Sequence, residues 1–233
     1  MSRPLIGVTT SARFTPAWPF LALSVWIAGG RAQRITPKMQ RVDLDALDGL
    51  IIGGGDDIGA ELYGGAAMLN ARVDPLRDEL ELSLLDRFWR AATPIMGVCR
   101  GAQIMNVFRG GTLHGDIHAV YVDAPKMRTV LPKKRVRIEP DTDLGRLSGV
   151  DEIVVNSLHH QSVDRLGEGL RVAATDASGI VQSVEETGPR YRLGVQWHPE
   201  FLFYRGPHRR LFRGLVSAAK APAARMISET STS

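Results

Sequence analysis

The stretch Thr93-Pro94-Ile95-Met96-Gly97-Val98-Cys99-Arg100-Gly101-Ala102-Gln103 contains the only cysteine of the chain. A short apolar run leads into Cys99, and the residues that follow have the apolar spacing of a helix. Gly97 and Gly101 flank the cysteine two residues away on either side. This pattern of strand, tight turn and helix is typical of a nucleophile elbow, in which glycines leave room for a strained turn.

A cysteine at the start of a helix has two interpretations. Most single cysteines are small, buried and chemically inert. The positive end of the helix and the neighbouring Arg100 cation instead favour the thiolate, which is the nucleophilic form. The flanking glycines favour this second interpretation, so Cys99 is a candidate nucleophile that needs a base.

A candidate base follows in Leu193-Gly194-Val195-Gln196-Trp197-His198-Pro199-Glu200. The apolar strand ends at His198, and α/β folds place active sites at such strand ends. Residues two apart in an extended segment point to the same side, so His198 and Glu200 can address one site. We expect His198 to transfer protons and Glu200 to orient its ring. A surface histidine beside a proline turn is the alternative.

The glycine run Gly53-Gly54-Gly55 follows an apolar strand and also has alternatives. A dinucleotide-binding loop is disfavoured, because the Gly-x-Gly-x-x-Gly spacing is missing. A glycine loop at a strand end can present backbone N–H groups to an oxyanion. Gly54 and the N–H of Arg100 would then form a two-donor oxyanion hole, whereas a plain tight turn is the simpler alternative.

The remaining histidines suggest no metal centre. Asn156-Ser157-Leu158-His159-His160-Gln161 follows an apolar strand, and substrate contact, metal binding and capping are all open for its histidines. His114 and His118 have a metal-like spacing, but Gly115 lies between them and no ligand-rich partner is evident. We therefore predict neither a metal ion nor a cofactor.

The order of the elements predicts an α/β fold. Strands at residues 5–8, 31–36, 49–52 and 93–98 alternate with helices at 20–29, from 74 onwards and at 102–108, which implies a parallel sheet. After residue 128, short segments at 135–139, 152–156, 170–175 and 180–184 predict an antiparallel extension. Residues 192–196 return to the main sheet, and 211–219 form the last helix.

Composition indicates one cytoplasmic domain. The 233 residues are 44% hydrophobic, enough for one sizeable core at residues 1–219, and we expect a disordered tail at 220–233. One cysteine permits no internal disulfide, which fits a reducing compartment. Residues 20–28 are apolar but too short to cross a membrane. The N-terminus reads as a strand rather than a signal peptide.

Charge and apolar patterning limit the partners. The net charge is +4, and the basic clusters at 133–137 and 205–213 lack interleaved aromatic residues, so we predict no nucleic-acid partner. We see no large apolar stripe left exposed for a protein partner. A homodimer is compatible with the sequence.

These motifs together resemble a known superfamily. The glycine loop with Asp56-Asp57-Ile58, the cysteine turn, Gly110-Gly111-Thr112-Leu113 and the two histidine motifs follow the order found in class I glutamine amidotransferase-like proteins. Within them the chain resembles the gamma-glutamyl-gamma-aminobutyrate hydrolase branch of the gamma-glutamyl-hydrolase peptidases. Asp74-Pro75-x-Arg77-Asp78 also favours this branch over amidotransferases proper, which usually carry a Gly-Gly-Pro loop.

The resemblance implies a fold and a chemistry. The fold would be a flavodoxin-like three-layer α/β sandwich with a mainly parallel central sheet and a small antiparallel extension. Cys99, His198 and Glu200 would form the triad, the N–H groups of Gly54 and Arg100 the oxyanion hole, and Gln103 and His159 would contact the glutamyl group. The activity would be hydrolysis of γ-glutamyl amides such as γ-glutamyl-γ-aminobutyrate, a small-molecule substrate of polyamine catabolism, through a thioester.

Two other functions stay open. One is a glutaminase subunit that delivers ammonia to a separate synthetase, and the other is a non-catalytic binding or regulatory protein that retains the fold. One region departs from the family pattern: the segment before Gly29 is short, and residues 14–20 are rich in aromatic residues and proline. This stretch is a candidate wall of the leaving-group pocket.

Overall fold

The computed structural model describes residues 2–13, 15–39, 42–66 and 71–220. Its strands are β1 (Leu5–Thr9), β2 (Arg31–Ile35), β3 (Gly49–Ile52), β4 (Ile95–Val98), β5 (Leu113–His114), β6 (Thr129–Ile138), β7 (Glu152–Ser157), β8 (Ser162–Val163), β9 (Leu170–Asp176), β10 (Val181–Glu186) and β11 (Arg192–Val195). Its α-helices are α1 (Ala17–Ile27), α2 (Pro75–Arg90), α3 (Arg100–Phe108), α4 (Ile117–Val120), α5 (Asp143–Ser148) and α6 (Gly206–Lys220). Short 3₁₀ helices occupy Ala60–Tyr63 and Pro199–Leu202.

Nine of these strands form one mixed sheet in the order β2-β1-β3-β4-β11-β10-β9-β6-β7. The pairings from β2 to β11 are parallel, and those from β11 to β7 are antiparallel. In register, Ile52 lies beside Gly97, and Val98 beside Val195. The carboxyl ends of β3, β4 and β11 therefore meet at one edge of the sheet.

Helices cover both faces of the sheet. Ile51 and Met96 point to the face packed by α1 and α6, through residues such as Leu21, Val25 and Phe212. Leu50, Ile52 and Ile95 point to the opposite face, where α2 and α3 contribute Leu85 and Ile104. Because β3 and β4 are buried on both faces, they are apolar throughout rather than alternating.

The predicted fold class, a three-layer α/β sandwich with parallel and antiparallel parts, is confirmed, although the antiparallel part contributes four of the nine strands. Helix α1 begins at Ala17 rather than Phe20, which is possible because Pro19 lies in its first turn, where proline is tolerated. The two-stranded antiparallel sheet of β5 and β8 and the helices α4 and α5 were not predicted from the sequence. Each of these spans only two to six residues, too few for a periodic pattern.

One expectation about the surface is wrong. Helix α1 exposes Phe20, Leu23 and Trp26, with 37%, 37% and 59% of their surface accessible. Spacings of three residues place these side chains on one side of the helix. No large exposed apolar stripe was expected on this chain, but α1 is apolar all round, and only one side of it can pack on the sheet.

Three further expectations concern membrane-spanning helices, the C-terminal tail and the stretch at residues 14–20. In the described part of the chain, no helix is both long enough and apolar enough to span a bilayer. The expected tail at 220–233 lies outside the described residues except for Lys220, which ends α6. Phe14, the first residue of the aromatic and proline-rich stretch, also lies outside them.

Candidate active site

Cys99 lies on a strained turn between β4 and α3. Its φ of 53° and ψ of −106° are sparsely populated for a residue with a side chain. The turn is possible because α3 approaches the sheet closely: a Cβ on Gly101 would lie 2.0 Å from the carbonyl oxygen of Ile52, and one on Gly97 2.6 Å from Gly101. A side chain at either of the two flanking positions would therefore clash, which explains why both are glycine. The turn between them holds Cys99 at the amino end of a helix.

His198 follows β11, the parallel strand next to β4. Its Nδ1 lies 2.8 Å from Oε1 of Glu200, which is completely buried. The backbone of His198 is clamped by Asn156, whose Oδ1 accepts from the His198 N–H at 2.8 Å and whose Nδ2 donates to its carbonyl at 2.9 Å. The ring of Phe201 stacks on the imidazole with centroids 5.4 Å apart. The imidazole is thus fixed on several sides.

The charge state of His198 follows from its neighbours. Burial alone lowers the pKa of His198, but the charges and hydrogen bonds of Glu200 and Cys99 outweigh burial and raise this pKa well above its usual value. Gln196 also donates its Nε2 to Cys99 Sγ at 3.6 Å. The arrangement favours an imidazolium beside the sulfur.

The predicted oxyanion residues lie on both sides of this pair. Gly54 packs against the His198 ring so closely that a Cβ there would lie 2.6 Å from Cε1. Arg100 is the first residue of α3, where a backbone N–H has no acceptor within its own helix. Their role as an oxyanion hole stays a prediction.

The expected action of the Arg100 side chain on the thiol is wrong. Its guanidinium is buried and forms ion pairs with Asp78 and Glu81 of α2, so its charge is already compensated. Arg77 completes this cluster with an ion pair to Glu81 at 2.7 Å. Arg100 therefore anchors the turn to α2.

The same buried cluster holds the glycine loop. Arg77 Nη2 donates to the carbonyl of Gly53 at 2.8 Å, and the Gly53 N–H donates to Thr9 Oγ1 at 3.2 Å. The Thr9 hydroxyl in turn donates to Glu81 at 2.6 Å. The sequence marked Arg77 only as a branch signature; its partner Glu81 was missed, because an acid four residues later on a helix looks like an ordinary surface pair.

A cavity of about 310 Å³ opens above Cys99. Its mouth carries charges of both signs, contributed by Asp56, Asp57, Arg72, Arg128 and His160. His160 lies 3.1 Å from Asp57, and the hydrogen bond to this carboxylate raises the pKa of His160. A small zwitterionic molecule would find partners for both its charges here.

Both predicted substrate contacts, Gln103 and His159, line this cavity. Gln103 is buried and its Nε2 already donates to the Gln161 carbonyl at 2.8 Å and to Gln196 Oε1 at 3.0 Å. His159 Nδ1 lies 3.0 Å from the same carbonyl. Burial, followed by the charge of Lys134, lowers the pKa of His159 to about 3, so its ring is neutral.

Two other expectations can be compared with the geometry. His114 lies 3.4 Å from Asp164, and no cluster of three or more potential metal ligands occurs among the described residues. Residues 15–20 line neither this cavity nor the one next to it; instead Phe20 packs edge-on against Phe201 with centroids 5.2 Å apart. Through Phe20, the described part of this stretch contacts Phe201, which in turn stacks on the His198 ring.

Known proteins resemble this chain over most of its length. The peptidase C26 family profile matches residues 21–200. A Mycobacterium tuberculosis protein named "Putative glutamine amidotransferase" is 34% identical over 247 residues, covering 96% of this chain and 77% of its own. The gamma-glutamyl-gamma-aminobutyrate hydrolase of Escherichia coli (strain K12) is 30% identical over 195 residues, covering 79% and 76%.

The fold also resembles a solved structure. A Thermoplasma acidophilum protein described as a "putative gmp synthase subunit a protein" superposes with a TM-score of 0.68 at 21% identity, covering 94% of this chain and 95% of that one. At this level of identity the similarity concerns the fold alone.

Proposed function

The chain belongs to the peptidase C26 family of class I glutamine amidotransferase-like proteins, and we propose that it is a cysteine hydrolase of γ-glutamyl amide bonds. One observation carries the proposal. The buried His198 lies between Glu200 and Cys99, which raise its pKa, while Cys99 stands on a strained turn at a helix start. A nucleophile, a proton carrier and an orienting carboxylate are the parts that covalent acyl transfer requires.

The reaction proceeds in two steps. The Cys99 thiolate attacks the γ-carbonyl carbon, and the N–H groups of Gly54 and Arg100 stabilise the resulting oxyanion. The C–N bond breaks as His198 gives its proton to the departing amine, leaving a γ-glutamyl thioester. A water molecule then gives a proton to His198 and attacks the thioester, so the C–S bond breaks and glutamate leaves. Glu200 holds the imidazole in place during both steps.

The charges at the cavity mouth support the γ-glutamyl group as substrate. This group ends in an α-ammonium and an α-carboxylate, and Asp56 and the two arginines, Arg72 and Arg128, offer partners for each. The Escherichia coli relative is named for γ-glutamyl-γ-aminobutyrate. We take this compound, a substrate of polyamine catabolism, as the representative substrate.

A second candidate function rests on the exposed face of α1. Phe20 connects this face to Phe201, which stacks on His198, so a protein bound to α1 would contact the support of the catalytic base. This favours a glutaminase subunit that waits for a synthetase, as an exposed apolar patch is typical of a protein interface. A binding or regulatory role without catalysis has no comparable observation in its favour.

Kinetics on the purified chain separate these functions. We expect turnover of γ-glutamyl-γ-aminobutyrate without any added protein, with a kcat/KM at least about tenfold above that of free glutamine, because ammonia leaves the amine side of the site empty. Cys99→Ala is the control and should lose about three or more orders of magnitude. Preference for glutamine, or activity only with a second protein, would support the glutaminase. Equal turnover by Cys99→Ala would contradict both.

A further inference from the structure

A second cavity of about 170 Å³ lies on the other side of His159. Its apolar wall is the small cluster of Ile117, Ala124 and Ile180, which are all nearly inaccessible to solvent and separate from the two main cores. Met127 and Pro125 extend the apolar lining. The space corresponds to roughly six water molecules at about 30 Å³ each, enough for a chain of about five heavy atoms.

His159 is the wall that the two cavities share. Its Nδ1 must donate to the Gln161 carbonyl, because a carbonyl oxygen can only accept. With a neutral ring, Nε2 is therefore an acceptor, and it is buried without a hydrogen-bond partner among the described residues. A buried acceptor without a donor is costly, so an N–H group of a ligand placed between the cavities would stabilise it.

The acidic group that lines the second cavity is already paired. Lys134 Nζ lies 2.9 Å from Asp176 Oδ2, and this oxygen also accepts from Gln182 Nε2 at 3.1 Å. Asp176 is the only carboxylate that lines the cavity in the described part of the chain. A ligand bearing an ammonium group would therefore lack a free counter-ion and would lose hydration on entry.

We propose that the second cavity is the subsite for the leaving amine and that it selects an uncharged, apolar chain next to the scissile nitrogen. This inference rests on the proposed γ-glutamyl hydrolase function. The γ-glutamyl group lies in the charged cavity above Cys99, the amide N–H donates to His159 Nε2, and the carbon chain of the amine contacts the apolar cluster. The three methylenes of γ-aminobutyrate meet this requirement, and its terminal carboxylate has the sign opposite to Lys133 and Arg135, which also line the cavity. The ammonium of a diamine meets neither condition.

The matched substrates are γ-glutamyl-n-pentylamide and γ-glutamyl-1,4-diaminobutane, which differ by a terminal methyl in place of an ammonium. We expect the pentylamide to have a kcat/KM at least about tenfold higher, the scale on which apolar pockets discriminate. Equal values, or a preference for the diamine derivative, would overturn the proposal.

Ala177→Phe tests the location, because Ala177 is exposed at the rim and a phenyl ring there would occupy the cavity. The kcat/KM ratio of pentylamide to glutamine should fall about tenfold or more. Ala91→Phe is the matched control: it makes the same exchange at an exposed residue between α2 and β4, at the end of the sheet away from Cys99, and should leave the ratio unchanged. An unchanged ratio in Ala177→Phe would overturn the proposal.

A binding measurement separates this inference from the proposed hydrolysis. Calorimetry of Cys99→Ala with γ-glutamyl-n-pentylamide needs no turnover, and adding Ala177→Phe should weaken binding about tenfold. If the wild-type chain hydrolyses no γ-glutamyl amide but this binding difference is found, the hydrolase function is wrong, and the second cavity stands only as the place where the carbon chain of the amide binds. If hydrolysis occurs without any binding difference, the subsite is wrong and the hydrolase stands.

Discussion

At the scale of single residues, the site is organised around the strained backbone of Cys99. A conformation such as φ 53° and ψ −106° costs about 1–3 kcal/mol for a residue with a side chain. Neighbouring contacts hold it in place: a Cβ on Gly101 would lie 2.0 Å from the Ile52 carbonyl oxygen, and the Cys99 N–H donates to the Val195 carbonyl at 2.7 Å. In this conformation Cys99 lines the cavity and its side chain contacts His198.

Glu200 is predicted to set the pH range of activity. Activity needs protonated His198, so it should be present below the raised pKa of His198 and be lost as pH rises through that pKa. Glu200→Gln removes the carboxylate charge, lowers the pKa of His198 and should move the alkaline limb of the kcat/KM profile to lower pH. Its loss of activity at neutral pH should be about 10–100-fold smaller than that of His198→Ala.

The pH profile is measured with γ-glutamyl-γ-aminobutyrate, with Glu168→Gln as the control. The Glu168 side chain is 90% exposed and its change should leave the profile in place. An alkaline limb that does not move in Glu200→Gln would contradict the role given to this carboxylate. The free energy of unfolding should change with pH in the same direction. The stabilisation that His198 contributes is fully present below its ordinary pKa of about 6.5 and is lost as pH rises through the raised pKa.

At the scale of elements, helix α2 supports two loops at once. The Glu81 carboxylate accepts hydrogen bonds from Arg77, Arg100 and Thr9. Through these contacts α2 holds both the glycine loop and the cysteine turn. Burial alone raises the pKa of Glu81, but Arg100 and Arg77 outweigh it and lower this pKa, so the carboxylate is ionised. Two buried cations thus depend largely on one buried anion, with Asp78 as the second partner of Arg100.

Glu81→Gln should be strongly destabilising. It removes the carboxylate paired with Arg77 and leaves Arg100 with Asp78 alone, and breaking a buried ion pair from one side costs about 3–5 kcal/mol. The free energy of unfolding from urea titration measures this, and Glu79→Gln, an exposed site on the same helix, is the control. A loss below about 1 kcal/mol, the value of a surface pair, would mean that the cluster does not hold the site together.

The elements differ in how well the sequence predicts them. Strands β3 and β4 and helix α2 follow from apolar runs, from the cap at Asp74 and from Pro75, and they occur where expected. The Arg77–Glu81–Arg100 cluster could not be predicted, because Arg77 and Glu81 look like an ordinary surface pair on one helix and Arg100 belongs to another helix. Likewise the clamp of Asn156 on the His198 backbone depends on two loops meeting in space.

At the scale of the whole molecule, the location of the site follows from parallel topology. The carboxyl ends of β3, β4 and β11 meet, so motifs more than forty residues apart come together at one edge. The sequence therefore predicted which residues gather, whereas it could not predict which surfaces stay exposed. The apolar face of α1 shows the difference, since its exposure depends on what packs against it and not on its composition.

The second cavity has the same origin. It forms between α4, β6 and the turn after β9, which the sheet topology brings together although none of them carries a recognisable motif. The sequence motif could indicate Cys99 as the candidate nucleophile, because a nucleophile of this kind needs a particular turn. The proposed subsite for the amine is assembled from short elements, and its shape follows only from the folded chain.

The central claim is a covalent γ-glutamyl thioester on Cys99, and rapid acid quenching followed by peptide mass spectrometry tests it most directly. With γ-glutamyl-γ-aminobutyrate in excess, the peptide containing Cys99 should gain the mass of one γ-glutamyl group during turnover. The His198→Ala variant tests proton transfer separately, and Cys99→Ala should show neither the adduct nor turnover. Full turnover with no adduct on Cys99, together with hydrolysis by Cys99→Ala at a near-normal rate, would contradict the account.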